Sequence, residues 1–497
     1  MALNTQMKTK GDNSLKRNLV YQLLYEILIL IIPLILSPYL TRVLGAEALG
    51  TYAYYYVIAN YFVLFSLLGL KNHGKRTIAS SRDHADELHL EFSNLITLHV
   101  IISVLCCLGY VGYIFILAEQ RFLAGVMGLQ VLSGLFDISW LYFGLEKFKL
   151  TVLRSAIIKV LTVAAIFIFV HQVEDLWIYC LIMSVGMLLG QLVLWMPLRK
   201  YIRWVRPQKQ RMLGHLKPMI LLFIPGIAVS LYKLMDKLML GNMYDHEQLG
   251  LYDNAEKIVN LPLTVITAFG AVMIPRISNL VARKAYQQTE HYARQSFYYV
   301  MWLAYAFAFG LAGIGEVFAP VFWGEAFRSA DRLMMGLSVT LPFLAFANII
   351  RTQFLIPCHR DKAFLGSVVA GAVVNIGLNL LLIPAHGAWG AVIATIAAEV
   401  TVCFVQCFCV RKTIPIGTYF RESLFFVPLA VLMFIIVYAI GMRMGESVGT
   451  LLVQIASGAL FYVAVSCVYF YCRKDKMFMK LLAHWKRLRG CSGGQGS

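Results

Sequence analysis

The sequence predicts an all-α polytopic membrane protein: about fourteen transmembrane helices, arranged as two pseudo-symmetric six-helix lobes plus two C-terminal helices. Three observations predict it. Of 497 residues, 59% are hydrophobic and only 14% charged, against roughly 45–50% and about 25% in soluble domains. The apolar runs are continuous, whereas the strands of an outer-membrane barrel alternate apolar with polar residues. Two stretches of the chain also echo each other. A soluble enzyme, a disordered chain and a disulfide scaffold are excluded.

The elements follow in order. Residues 1–17 are polar and read as a cytoplasmic segment, with no removable signal peptide after them. Apolar segments run at roughly 18–44, 50–70, 92–118, 121–144, 153–171, 175–198, 217–241, 250–274, 296–323, 331–357, 364–384, 388–410, 422–442 and 448–472. At about 20 residues per span, fourteen spans use a little over half the chain. The first segment contains Pro33 and ends at Leu44-Gly45. The second opens with the tyrosines of 52–56, whose amphipathic rings belong at an interface. The fourth, 121–144, is the least hydrophobic. The sixth carries Gly186-x-x-x-Gly190, which permits close helix packing. The expected organisation is an N-lobe at 18–198, a cytoplasmic linker at 199–217, a C-lobe at 218–410, two further helices within 411–472 and a basic cytoplasmic tail at 473–497.

The net charge of +18 suggests nucleic acid until its distribution is read. With the N-terminus inside, thirty-four of the 44 Lys and Arg fall in cytoplasmic segments, five on the opposite side (Arg42, Arg121, Arg328, Arg332, Arg443) and five within spans. This is the positive-inside pattern. It places both termini in the cytoplasm and removes the nucleic-acid reading. Of the 10 cysteines, most lie inside apolar runs and none forms a Cys-x-x-Cys pair, so zinc and redox chemistry are not signalled. Every loop is short, leaving no soluble catalytic domain. No Gly-x-x-x-x-Gly-Lys-Ser/Thr loop exists, so the expectation is a non-enzyme, without a cofactor and driven by an ion gradient or the substrate's own gradient.

The internal echo is an offset of 200 residues: Leu49-Gly50-Thr51-Tyr52 recurs as Leu249-Gly250-Leu251-Tyr252, and Arg76 aligns with Arg276. Ile32-Pro33 matches Ile224-Pro225, and Leu44-Gly45 matches Leu240-Gly241. Both copies run from inside to outside, so the repeat is parallel. Two bundles would be related by an axis along the membrane normal, with a path between them.

Four blocks carry a resemblance. They are Pro33…Pro38-Tyr39-Leu40-Thr41-Arg42-Val43-Leu44-Gly45…Leu49-Gly50-x-Tyr52, then Asp137-Ile138-Ser139-Trp140-Leu141-Tyr142-Phe143-Gly144-Leu145-Glu146 followed by Arg154, then Asp236-Lys237-Leu238-Met239-Leu240-Gly241, and Asn375…Asn379-Leu380-Leu381-Leu382-Ile383-Pro384…Gly387…Gly390-Ala391. The first three resemble Wzx-type polysaccharide flippases, which serve O-antigen and capsule biosynthesis. The fourth is similar to a pattern of the wider multidrug/oligosaccharidyl-lipid/polysaccharide exporter superfamily. The resemblance covers about residues 18–472. It implies a multi-pass protein of the bacterial cytoplasmic membrane, with two lobes around a central cavity. It implies transport of an undecaprenyl-diphosphate-linked oligosaccharide from the inner to the outer leaflet, among membrane lipid and beside a polysaccharide polymerase. The alternatives are a lipid II or multidrug/ion exporter of the same superfamily, and, from another class, a membrane polymerase or glycosyltransferase. A polymerase resembles chains with a large arginine-bearing outer loop, which this chain lacks.

A sugar diphosphate cannot cross about 30 Å of hydrocarbon unaided. Its carrier needs cations at depth and no nucleophile, and each ionisable residue inside a span is a functional candidate. Lys233 and Lys237 share one face of span 7 with Asp236 between them. They read equally as a cationic face for phosphate or sugar and as a Lys–Asp pair with Lys237 snorkelling outward. Arg351 is too deep to snorkel fully and reads as substrate-binding or a buried pair. Asn60 and Asn375 are polar candidates near mid-depth, and Asn375 with Asn379 reads equally as a helix tie. Arg42 ends span 1 as a gate residue or an interface anchor. Arg76 and Arg276 sit where an incoming diphosphate would be met, or serve only as topology charges. Glu26, Asp137 and Glu399 are candidates for coupling to a proton or sodium ion, with polar helix ties as their plainer reading. No metal site is signalled.

Overall fold

The computed structural model describes residues 31–475 and 478–479 in full, save the side chains of Tyr232 and Tyr286; of residues 2–30 it describes the backbone alone. The side chain of Glu26 and those of the 1–17 segment lie outside the described residues, as does most of the 473–497 tail.

The described chain is helical throughout. In order come α1 (Ala2–Leu67), α2 (Leu70–Ser81), α3 (Ala85–Ile116), α4 (Arg121–Leu135), α5 (Ser139–Gly144), α6 (Phe148–Phe169), α7 (Leu176–Trp195), α8 (Lys209–Gly214) and α9 (Leu216–Met243). Then follow α10 (His246–Ala282), α11 (Tyr286–Phe318), α12 (Ala330–Ser338), α13 (Thr340–Ile350), α14 (Asp361–His386), α15 (Ala388–Val410), α16 (Ile416–Leu424), α17 (Phe426–Met444) and α18 (Val448–Cys472). Thirteen stretches of the described residues are long and apolar enough to cross a membrane. The first, Ile31–Ser81, is bent at Gly45 into two arms, which gives the fourteen spans expected. Gly45 has φ 75° and ψ −179°. Only glycine enters that region without cost, so the Leu-Gly of the sequence marks a bend and the chain runs on as helix where a short loop was expected.

Two predicted spans are broken. The 121–144 segment splits at Phe136–Ile138 because Asp137 turns its carboxylate on the backbone: Ser139 N donates to Asp137 Oδ1 at 2.9 Å, and Trp140 Nε1 donates to the Asp137 carbonyl at 3.1 Å. Such local bonds compete with the helix ladder. The 331–357 segment becomes α12, α13 and a π turn at Arg351–Leu355. A second π turn, Ala319–Trp323, ends α11.

Helices α1–α7 form one lobe and α9–α15 the other. Helices α17 and α18 attach to the second through α11, where Tyr462 donates to the Trp302 carbonyl at 2.8 Å and Trp302 Nε1 to Ser466 at 2.8 Å. The charge distribution of the sequence defines two ends: a basic face at the 199–217 linker, and a sparse face at the 45–50 bend and the α9–α10 turn. Near the basic face, α2 lies on the start of α9: His73 Nε2 is 3.0 Å from His215 Nδ1, and His215 Nε2 is 2.9 Å from Glu91.

At the sparse face the lobes meet backbone to backbone. A Cβ on Gly50 would stand 1.7 Å from the His246 carbonyl oxygen, and one on Gly250 would stand 1.9 Å from that of Ala46. The two glycines that the repeat relates therefore face each other. Thr51 bonds His246 Nδ1 at 2.8 Å, Tyr54 donates to Asn242 at 2.8 Å, and Ser37 reaches Asn254 at 3.3 Å while accepting from Trp323 Nε1 at 2.9 Å.

Candidate functional site

The sequence-predicted residues fall into four places. The first is a cavity of about 410 Å³ inside the N-terminal lobe, between α1, α4, α6 and α7. Asn60 and Asp137 line it, as do Lys71, Gln130, Arg154, Lys159 and Gln191. Asp137 is buried and lies 3.4 Å from the Lys71 ammonium. Arg154 donates to the Gly190 carbonyl and to Gln191 Oε1 (3.2 Å). The Gly186/Gly190 pair brings α7 close enough to α6 for that reach: a Cβ on Gly186 would meet Thr162 Oγ1 at 2.7 Å. Lys71 reads in the sequence only as a topology charge; Arg154 reads as one too, and its place after the Asp137–Glu146 block is the available signal.

The second place is a polar knot in the C-terminal lobe, centred on Asp236. Its Oδ1 accepts from Asn379 Nδ2 at 2.6 Å, and its Oδ2 accepts from Thr395 at 2.6 Å and Tyr252 at 3.0 Å. Asn379 Nδ2 also donates to Asn375 Oδ1 at 3.1 Å. Asp236 and the two asparagines are buried, and among the described residues Asn379 Oδ1 has no hydrogen-bond partner. Among the described residues no ion pair reaches Asp236: its hydrogen-bond partners are neutral, and two of the three offer a hydroxyl. Thr395 and Tyr252 gave no signal in the sequence beyond the repeat that includes Tyr252.

Beside the knot, Lys237 Nζ lies 2.6 Å from Asp253 and 2.8 Å from Glu256, and Lys257 lies 2.5 Å from Asp253. The Lys–Asp pairing forms between helices, with Asp253 rather than Asp236, because adjacent helical residues point in different directions. Lys237 is thus held inside a neutral four-charge network. Removing one member of a buried pair costs about 3–5 kcal/mol. Asp253→Asn, which strips the carboxylate shared by both lysines, is expected to destabilise the folded protein by about that amount. Unfolding monitored in detergent checks this; an unchanged midpoint would mean that water, not Asp253, compensates the lysines. Lys233, one turn away, is exposed and makes no ion pair among the described residues.

The third place is the π turn of Arg351. Its guanidinium donates to Asn348 Oδ1 at 2.8 Å and lies 5.8 Å from the Phe364 ring. Among the described residues no carboxylate lies within ion-pair distance of it. π turns inside helices recur at functional sites because they redirect a side chain.

The fourth place is the sparse-face seal. Arg42 donates to the Val321 and Phe322 carbonyls at 2.7 and 2.9 Å and to Pro38 at 2.9 Å. It straps the first lobe to the C-terminal end of α11, where free carbonyls and the helix dipole favour a cation. The other candidates stand apart. Arg76 is exposed near the basic face, Arg276 stacks on Tyr292 with its guanidinium 4.1 Å from the ring, and Glu399 is buried in α15. An apolar cavity of about 720 Å³ lies between α11, α13, α15 and α17, lined by residues such as Tyr305, Phe343, Phe404 and Phe420.

Comparison with known proteins gives a consistent result. A family model described as polysaccharide biosynthesis protein matches residues 15–281. A putative O-antigen transporter of Shigella dysenteriae is 22% identical over 394 residues, covering 78% of this chain and 98% of that protein. In fold the chain is similar to the lipid II flippase MurJ in an inward closed conformation, with a TM-score of 0.77 at 16% identity over 92% of this chain and 99% of that one. It is also similar to an inward-facing multidrug resistance MATE family transporter of the MOP superfamily, with a TM-score of 0.58 at 13% identity over 80% and 96% of the two chains.

Proposed function

The chain belongs to the polysaccharide biosynthesis protein family, and from that premise we propose that it flips an undecaprenyl-diphosphate-linked oligosaccharide from the inner to the outer leaflet of a bacterial cytoplasmic membrane. The lobes alternate access around the head group, with both termini and the basic face in the cytoplasm. The observation that carries this reading is Arg351, a cation at membrane depth without a carboxylate partner among the described residues. An unpaired charge there is expensive, and a visiting diphosphate offsets that cost. Lys233 offers a second cation for the opposite-facing state. The apolar cavity beside α17 gives the prenyl chain a surface. The seal of glycines and carbonyl contacts forms the outer gate, with Arg42 as its strap.

Ion coupling is assigned to Asp236. A buried carboxylate with neutral hydrogen-bond partners takes up a proton or a small monovalent cation when the other side of the cycle releases one, and a turn of the two asparagine amides would bring further oxygens toward it. Asp137, already beside Lys71, then orders the N-terminal lobe. A polymerase that uses the product at the outer surface is the natural partner.

The reading predicts movement without covalent change. Purified protein in vesicles should carry a lipid-linked oligosaccharide between leaflets and return it with its mass unchanged. Sugar transfer or diphosphate cleavage by the pure protein would replace this reading with an enzymatic one.

A further inference from the structure

A polar cavity of about 620 Å³ opens at the sparse face of the C-terminal lobe, apart from the candidate sites above. Four elements build it. The start of α10 supplies Gln248, the end of α11 supplies Glu316, the 324–329 turn and α12 supply Ser329, Asp331 and Arg332, and the first turn of α15 supplies Trp389. Arg328, also in its wall, is committed to carboxylates, with contacts of 2.7 Å to Glu325 and 2.6 Å to Glu446. The remaining charged groups, Glu316 and Asp331 against Arg332, leave a net negative charge, which disfavours an acidic ligand.

The cavity's chemistry is also specific. Glu316 and Asp331 accept hydrogen bonds, Arg332 donates, and Gln248 and Ser329 do both. Trp389 is an aromatic ring left 41% exposed, seated on Gly336 with its edge 3.2 Å from where a Cβ would stand. Acceptors and donors around an aromatic platform match a sugar ring, which offers vicinal hydroxyls at its rim and a C–H face. The size falls within the roughly 300–1,000 Å³ of small-ligand pockets. We propose that this cavity is a saccharide subsite for uncharged sugars, taking hydroxyl-rich rings of the oligosaccharide as they emerge at the outer face; the link to transport rests on the flippase reading above.

Position supports a link to the cycle. The turn that brings Ser329 to the cavity begins at Gly324, where a Cβ would be 3.3 Å from the Arg42 side chain. It follows directly on Val321 and Phe322, whose carbonyls Arg42 holds. A sugar settled against this turn therefore bears on the same segment that straps the two lobes.

The test is a binding titration of the whole protein in nanodiscs with soluble probes: N,N′-diacetylchitobiose and lactose as neutral saccharides, and a glucuronate-containing disaccharide as the acidic one. The expected result is saturable binding of a neutral probe, weakened at least about 10-fold by Glu316→Gln and by Trp389→Ala, with Trp389→Phe retaining most of it. The acidic probe should bind more weakly than the neutral ones. Absence of neutral-probe binding, or binding indifferent to these variants in protein that unfolds at the parent temperature, overturns the proposal. Leaflet transport of a lipid-linked neutral oligosaccharide by the same variants separates the two sources of sugar. Slowed turnover ties the subsite to the flipped head group, and normal turnover with lost probe binding assigns it to free outer-face glycan and overturns the link to transport. The probe titration does not require flipping, so a wild-type protein that binds sugar but moves no lipid overturns the flippase reading and leaves the subsite standing.

Discussion

Replacing Gly50 with alanine is expected to wedge the sparse face open. The added methyl would overlap the His246 carbonyl, 1.7 Å from its oxygen, and a main-chain atom cannot swing aside as a side chain can. Overpacking typically costs about 1–3 kcal/mol, and a backbone obstacle puts this site at the upper end. Each 1.4 kcal/mol shifts an equilibrium about tenfold, so the sealed state should lose roughly 10- to 100-fold in population relative to the opened one. Ser37 lies under the seal, bonded to Trp323 and Asn254. A cysteine placed there in the Gly50→Ala background should react with an impermeant maleimide added outside about 10-fold faster than in the parent, with transport falling in step. Gly250→Ala should do the same, because the contact is reciprocal. If both alanine variants label and transport like the parent, the seal is made elsewhere.

The second large effect is expected at Arg351. Charge-assisted hydrogen bonds contribute about 1.5–3 kcal/mol, so Arg351→Gln should lower leaflet transport by roughly 10- to 100-fold at normal membrane levels. Arg351→Lys should fall between, since charge remains while the planar fork that grips phosphate is lost. Lys233→Gln should also impair transport, and Lys233→Arg should retain most of it. Equal transport by both Gln variants and wild type would make these cations structural and leave the family assignment untouched.

The spans and the repeat were legible in the sequence because each rests on local pattern: hydropathy over about 20 residues, and a four-residue block that returns at a fixed offset. The repeat even pointed at Gly50 and Gly250, though only the structure shows that they touch. Asp236, Lys237 and Asn375 were legible as polar residues at depth, but their partners were not. Asp253, Tyr252 and Thr395 lie on other helices, and which helix face meets which is decided by packing. The same limit hid Lys71 and Arg154, which stand at span ends where a topology charge and a cavity cation look alike. The broken fourth span was missed for another reason: Asp137 sits in a run apolar enough to read as continuous, and its capping bond to Ser139 depends on a turn that hydropathy does not sense.

That break bears on how the protein is made. Helix α4 has 15 residues, about 22 Å at 1.5 Å per residue, short of a hydrocarbon core of about 30 Å. It ends on an acidic turn of irregular backbone, which bare lipid will not tolerate. Alone in a bilayer this segment would be a poor tenant. Its acid is matched by Lys71 of α2, and Trp140, just past the break, is stacked on Phe92 of α3 at 5.5 Å. Both partners precede it in the chain and leave the ribosome first. The Phe136 carbonyl at the break, by contrast, accepts from Trp195 Nε1 of α7 at 2.9 Å, so the acid and the indole meet partners already made, while the break itself is closed only when α7 arrives.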